Sequence, residues 1–125
     1  MRTKRLVGFK HYIRKALSVM PDGWWAAFGE EMTKDLARAV RLDGGQDDFG
    51  IVQVKEKYGG LRVYVVGGGD NVSRIIEEYE AKSKRTCVKC GKPAKWISYG
   101  WICPYCDECA AAIHNLAYPI EQQED

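Results

Sequence analysis

The chain has 125 residues, 46% of them hydrophobic and 29% charged, with a formal net charge of +2. That balance, with four tryptophans, excludes a disordered chain, and no apolar run approaches the roughly 18 residues needed to cross a bilayer. Lys10, Arg14 and Lys15 break up the N-terminal apolar stretch, so it does not read as a secretory signal and a cytoplasmic protein is expected.

Leu6, Phe9, Ile13, Ala16, Leu17 and Met20 recur at intervals of three and four and predict a first helix, stopped by Pro21. Asp22 is placed to cap a second helix, striped by Trp25, Phe28, Met32, Leu36 and Ala39 or Val40 and ended by Asp43-Gly44-Gly45. Residues 51–57 and 61–66 are rich in β-branched and aromatic side chains around Tyr58-Gly59-Gly60, the signature of a hairpin. Gly67-Gly68-Gly69 reads as a connector, because no nucleotide-loop pattern surrounds it. Asp70 or Asn71 can then cap a third helix that runs to about Lys84, with Val72, Ile75, Ile76 and Tyr79 inward. The expected fold class is α+β: N-terminal helices packed on a β-hairpin and a third helix over residues 1–85, then a cysteine module over residues 86–125, appended or integrated.

A disulfide framework is unstable in the cytoplasm, so five cysteines point to metal chemistry. Cys87, Cys90, Cys106 and Cys109 form two C-x-x-C units fifteen residues apart, the layout of a structural four-cysteine zinc site. Gly91 lets the chain turn its N–H groups toward the first two sulfurs. Residues 95–102 suggest a short hairpin turning near Gly100, and the second doublet would open a short helix, Asp107 to about Leu116. The result is a zinc ribbon or treble-clef-like module with one structural Zn2+. Cys103 is spare and leaves alternatives open: the second pair could be Cys103 and Cys106, His114 could substitute as a ligand, and Cys103-Pro-Tyr-Cys106 resembles the redox motif of glutaredoxins. A thioredoxin-like fold, however, needs more chain after that motif than the 19 residues that follow Cys106.

With Gly59-Gly60 as a two-residue turn, strand alternation puts Val52, Val54, Glu56, Tyr58, Leu61, Val63 and Val65 on one face of the hairpin. The other face carries Ile51, Gln53, Lys55, Lys57, Arg62, Tyr64 and Val66. Lys55, Lys57 and Arg62 beside Tyr64 could grip phosphates or a carboxylate-rich surface. The plainer reading is a solvated face with Glu56 paired to a neighbouring cation. Trp24 is a further candidate contact, since tryptophan dominates interface hot spots; the alternative for Trp24-Trp25 is one ring in the core and one capping it. Trp96 and Trp101 are expected to pack the cysteine module against the helices. His11 and His114 are the only histidines, and no Ser/His/Asp or Cys/His constellation stands out.

Charge is distributed unevenly. Residues 1–21 hold Arg2, Lys4, Arg5, Lys10, Arg14 and Lys15 with no acid, residues 22–80 sum to −5, residues 81–109 to +4, and the tail to −3. Basic segments flanking an acidic middle permit a nucleic-acid or acidic-protein partner.

Taken together, Asp22-Gly23-Trp24-Trp25 before a helix, the VKEKYGGLRVY stretch from Val54 to Tyr64, a helix ending in Ser83, Thr86-Cys87-x-x-Cys90-Gly91, and Gly100-Trp101 leading into Cys106-Asp107-x-Cys109 resemble a family of small, largely uncharacterised proteins of bacteria, phages and prophages. The resemblance runs from residue 22 onward; the basic first 20 residues depart from it. It implies a fold and a metal but no activity, and a non-cysteine residue at the position of Cys103, which favours Cys106 and Cys109 as ligands. The expected function is that of a non-enzymatic zinc-binding accessory protein that binds a host protein, as an anti-defence inhibitor. A nucleic-acid-binding regulator and a thiol oxidoreductase using Cys103 and Cys106 are the alternatives.

Overall fold

The structure, a computed structural model, describes residues 7–45, 47–113 and 117–120. Leu6, Arg2, Lys4, Arg5, His114 and Leu116, which figure in the expectations above, lie outside these residues. The elements in order are α1 (Val7–Leu17), α2 (Asp22–Trp24), a π-helical turn (Trp25–Gly29), α3 (Glu30–Leu42), β1 (Gly50–Lys57), β2 (Gly60–Val66), α4 (Asp70–Ser83), β3 (Trp96–Ser98), β4 (Pro104–Tyr105), α5 (Asp107–Ala111) and β5 (Ala117–Pro119). Two small antiparallel sheets form, β1-β2 and β4-β3-β5. No described helix is long and apolar enough to cross a membrane. The chain is thus mixed α and β, with a hairpin and a C-terminal module that gathers four cysteines.

The helical core lies where the stripes meet: Ile13 and Leu17 of α1, Phe28, Met32, Leu36 and Val40, Leu61 and Val63 of β2, and Val72, Ile76 and Tyr79 of α4 are all buried. Trp24, not Trp25, holds the first inward position of the second helix and is 0% exposed. The π turn explains the shift. It takes one more residue than an α turn, so the position one turn before Phe28 falls on Trp24. The Trp25 ring instead lies over Gly29, where a Cβ would come within 2.0 Å of it. Trp24 therefore offers no surface to a partner, which corrects its place among the candidate contacts.

The hairpin turns at Tyr58-Gly59, one residue earlier than expected, with φ of 52° and 85°, the pair of left-handed residues that a type I′ turn requires. Gly60 begins β2, with the Lys84 side chain close by, Cε 3.2 Å from where a Cβ would stand. A left-handed tyrosine costs about 1–2 kcal/mol. The Glu56 carboxylate, which accepts from Gly59 N at 2.8 Å, helps to offset it. The turn moved by one residue at both ends, so the parity of the strands is unchanged. Glu56 faces Leu61 and Val54 faces Val63 on the inner side, while Lys55 faces Arg62 and Gln53 faces Tyr64 outside. An irregularity between Ile51 and Gln53 turns Val52 out to 64% exposure, so that residue leaves its expected face.

The outer edge of β2 is closed by side chains of α4 rather than by a third strand. Ser83 Oγ accepts from Leu61 N at 2.8 Å and Glu80 Oε2 from Val63 N at 3.1 Å. The N-terminus of α4 is capped across the fold: Asp43 accepts from Gly69 N at 2.7 Å, Val72 N at 3.0 Å and Asn71 Nδ2 at 2.8 Å. This replaces the expected local cap by Asp70 or Asn71. Burial opposes ionisation of Asp43, but these N–H donors outweigh it and hold the carboxyl below its usual range.

Candidate metal centre

The first doublet sits in a tight knuckle. Lys92 O accepts from Cys87 N at 2.8 Å, Cys87 O accepts from Gly91 N at 3.1 Å, and Gly91 adopts φ 88°. The knuckle is locked to the start of α2 by backbone contact. A Cβ on Gly23 would lie 2.2 Å from Cys87 O, and one on Gly91 would lie 2.7 Å from Gly23 O. Across this contact Gly23 N donates to Val88 O at 2.9 Å, and the Trp24 indole donates to Thr86 O at 2.9 Å. The Asp-Gly-Trp and Thr-Cys-x-x-Cys-Gly segments are therefore two halves of one joint.

The second doublet is brought up by the β3–β4 hairpin. Val88 N donates to Pro104 O and Lys95 N to Tyr105 O, both at 2.9 Å. Cys106 then caps α5, its sulfur accepting from Cys109 N at 3.4 Å. The residues between the cysteines hold the knuckle: Glu108 pairs with Lys92 at 2.7 Å, and Asp107 accepts from the Trp96 indole at 2.8 Å. α5 ends at Ala111, short of the expected Leu116, and β5 follows to pair with β3. Nothing in the sequence pattern of residues 117–119 marked that strand.

The sulfurs of Cys87, Cys90, Cys106 and Cys109 all lie within 4.8 Å of one another, with Cys90 and Cys106 at 3.5 Å. A tetrahedral ion with metal–sulfur bonds of about 2.3 Å needs an edge of about 3.8 Å, so the four thiols can hold one metal ion. Cys103 does not belong to this group. Burial works against ionisation of Cys87, but the N–H groups of Cys90, Cys106 and Lys89 outweigh it and bring the thiol down to about 7. Cys109 is pushed up to about 12 by burial and by the sulfurs around it. At Cys90 the Lys92 N–H favours the thiolate, yet burial and the neighbouring sulfurs leave the thiol raised. Four thiolates this close would repel one another, and a cation among them would offset that repulsion. Among the described residues no other group of His, Cys, Asp and Glu is arranged to ligate a metal.

The remaining candidates gather around the hairpin tip. Lys55, Lys57, Arg62 and Tyr64 share its outer side, with Lys55 Nζ 5.9 Å from the Tyr64 ring centre. Trp101 does not pack the module against the helices, as the sequence suggested. It is 77% exposed on the β3–β4 loop. That loop is braced by Ser98, whose Oγ donates to Trp101 O and accepts from Cys103 N at 3.0 Å. It approaches the tip so closely that a Cβ on Gly59 would touch Ile102 at 3.2 Å. Between them lies a cleft of about 260 Å³ lined by Lys55, Glu56, Lys57, Tyr58, Trp101 and Ile102. Exposed aromatics placed only by a distant loop left no periodic signal in the sequence.

Comparisons with protein-family models, with curated proteins and with solved structures find no match to this chain.

Proposed function

We propose that the four cysteines bind one zinc ion with a closed, structural coordination shell, and that the chain is a non-enzymatic binding protein. The carrying observation is the convergence of four sulfurs within 4.8 Å. Four thiolates complete a tetrahedral zinc site and leave no position for substrate or water. Elemental analysis of the purified, reduced protein checks this: one zinc per chain is expected, with a large fall in melting temperature when a chelator removes it. Protein purified without bound metal that folds normally would overturn the reading.

The buried state of Cys103 supports a binding role over thiol redox chemistry. Cys103 is 5% exposed, and burial together with the nearby Glu56 carboxylate pushes its thiol up to about 11. A redox nucleophile needs the reverse, an accessible thiol of lowered pKa. Insulin reduction by the metal-loaded chain is expected to be absent, and turnover would refute the non-enzymatic reading.

The resemblance to small phage and prophage proteins supports a host protein as partner, in the host cytoplasm, with an anti-defence role. A pull-down with the metal-loaded chain from bacterial lysate is expected to retain one stoichiometric partner, and its absence counts against that role. A second reading, a nucleic-acid-binding regulator, is favoured by the hairpin cations, which have no carboxylate partner among the described residues.

A further inference from the structure

We infer that the cleft between the hairpin tip and the β3–β4 loop is a binding site for single-stranded nucleic acid. One base would lie against Tyr58 and Trp101, with flanking phosphates on Lys55, Lys57, Arg62 and Lys84. This rests on the reading of the chain as a non-enzymatic binding protein and names the chemistry of one partner.

Three observations converge. Among the described residues, Trp101 at 77% and Tyr58 at 76% are the two most exposed large hydrophobic side chains, and both line the same cleft. The backbone at both positions is also held in place. Tyr58 is set by the left-handed turn and the Glu56 contact beneath it, and Trp101 by the Ser98 brace. Exposed rings on a fixed backbone are available for stacking.

Cations outnumber acids around them: Glu56 lines the cleft beside Lys55 and Lys57, and Arg62 and Lys84 stand close by. Arg62 Nη1 and Lys84 Cε both approach Gly60, at 3.5 and 3.2 Å from where its Cβ would stand, and Lys57 pairs with Gly60 across the hairpin. Lys55 stands opposite Arg62. Among the described residues, Arg14 is paired with Glu30, Arg38 with Asp35, Lys82 with Glu31, Lys92 with Glu108 and Lys95 with Asp107. None of Lys55, Lys57, Arg62 and Lys84 is. Two carboxylates at the hairpin are hydrogen-bonded to its backbone, Glu56 to Gly59 N and Glu80 to Val63 N. These two carboxylates are outnumbered by the four cations Lys55, Lys57, Arg62 and Lys84.

The third observation is size. A cleft of about 260 Å³ admits one planar ring system rather than a partner's helix. Stacking against rings needs an unpaired base, so a single strand fits and a duplex, whose bases are already stacked, does not. A purely acidic segment such as polyglutamate would satisfy the lysines but offer no planar group to stack on the rings.

The test is fluorescence anisotropy of the metal-loaded full chain with a labelled 12-nucleotide oligothymidine, in rising salt. Three or four phosphate contacts predict a slope of log affinity against log salt of about −2 to −3. Trp101→Ala is expected to weaken binding about 10- to 100-fold, as loss of one stacked base does. Both Trp101→Ala and Tyr58→Ala alter exposed side chains, so thermal unfolding and metal content should stay near wild type. The corresponding duplex should bind more weakly, and polyglutamate should compete poorly. No binding at low salt, or binding unaffected by Trp101→Ala and Tyr58→Ala, overturns the assignment; the second outcome moves the contact to other cations. Competition by polyglutamate as effective as that of the oligonucleotide also overturns it, in favour of an acidic protein. If the oligonucleotide fails while a stoichiometric protein partner is still retained, the cleft assignment falls and the binding-protein reading stands.

Discussion

Replacing Gly23 by alanine separates the joint between α2 and the knuckle from ordinary helix propensity, because the two predict opposite signs. Inside a helix, glycine to alanine stabilises by about 0.5–1 kcal/mol. At Gly23 the new Cβ would stand 2.2 Å from Cys87 O and 2.6 Å from Val88 C, both backbone atoms that cannot swing aside. Real Cβ atoms tolerate 3.0 Å, so the knuckle must retreat by at least 0.8 Å. That movement strains the Gly23 N–H bond to Val88 O and the buried Trp24 bond to Thr86 O, both 2.9 Å. Overpacking of this kind costs about 1–3 kcal/mol. Two weakened hydrogen bonds add about 1 kcal/mol each. The net expectation is a loss of about 2–4 kcal/mol, a fall in melting temperature on the order of 10 °C. Cys87 moves with the knuckle, so affinity for the proposed zinc ion should drop about tenfold or more. Thermal unfolding followed by circular dichroism and zinc competition against a chromophoric chelator measure the two effects. Gly100→Ala is the control: its surroundings are open and it has φ 71°, so only about 1 kcal/mol of backbone strain is expected. A Gly23→Ala protein as stable as wild type, or more stable, would refute the interlocked joint.

Ser83→Ala leaves the buried Leu61 N–H without an acceptor and should destabilise by about 1–3 kcal/mol in urea unfolding. A change below about 0.5 kcal/mol would mean that another group takes over. Cys103→Ala should keep one zinc per chain by elemental analysis, because its sulfur stands apart from the cluster; loss of the metal would redraw the ligand set. The Asp43 carboxyl lies below its unfolded pKa of about 3.9, so its contribution to stability is present above that pH and disappears as pH falls through the folded value. Asp43→Asn should therefore flatten the acid limb of the stability profile below about pH 4, and an unchanged limb would rule out the cross-fold cap.

The local signals were legible because each involves neighbours in sequence. Intervals of three and four placed the helices, β-branched runs placed the hairpin, and the spacing of Cys87, Cys90, Cys106 and Cys109 named the donors that converge. Strand parity survived from Gln53 to the tip even where the turn was misplaced, since sliding a two-residue turn by one position at both ends preserves it; only the irregularity at Ile51–Gln53 broke the pattern.

What the sequence by itself determined is therefore local: element types, the inward stripes below Phe28 and the identity of the clustered thiols. Tertiary structure alone decided which tryptophan is buried, that Asp43 caps a helix 26 residues away, that Ser83 closes the β2 edge, and that Trp101 stands in water beside Tyr58. The physical reason is range. Periodicity and spacing report what a residue does to its neighbours along the chain. A cap, an edge bond or a cleft joins segments whose approach depends on how all the stripes pack at once.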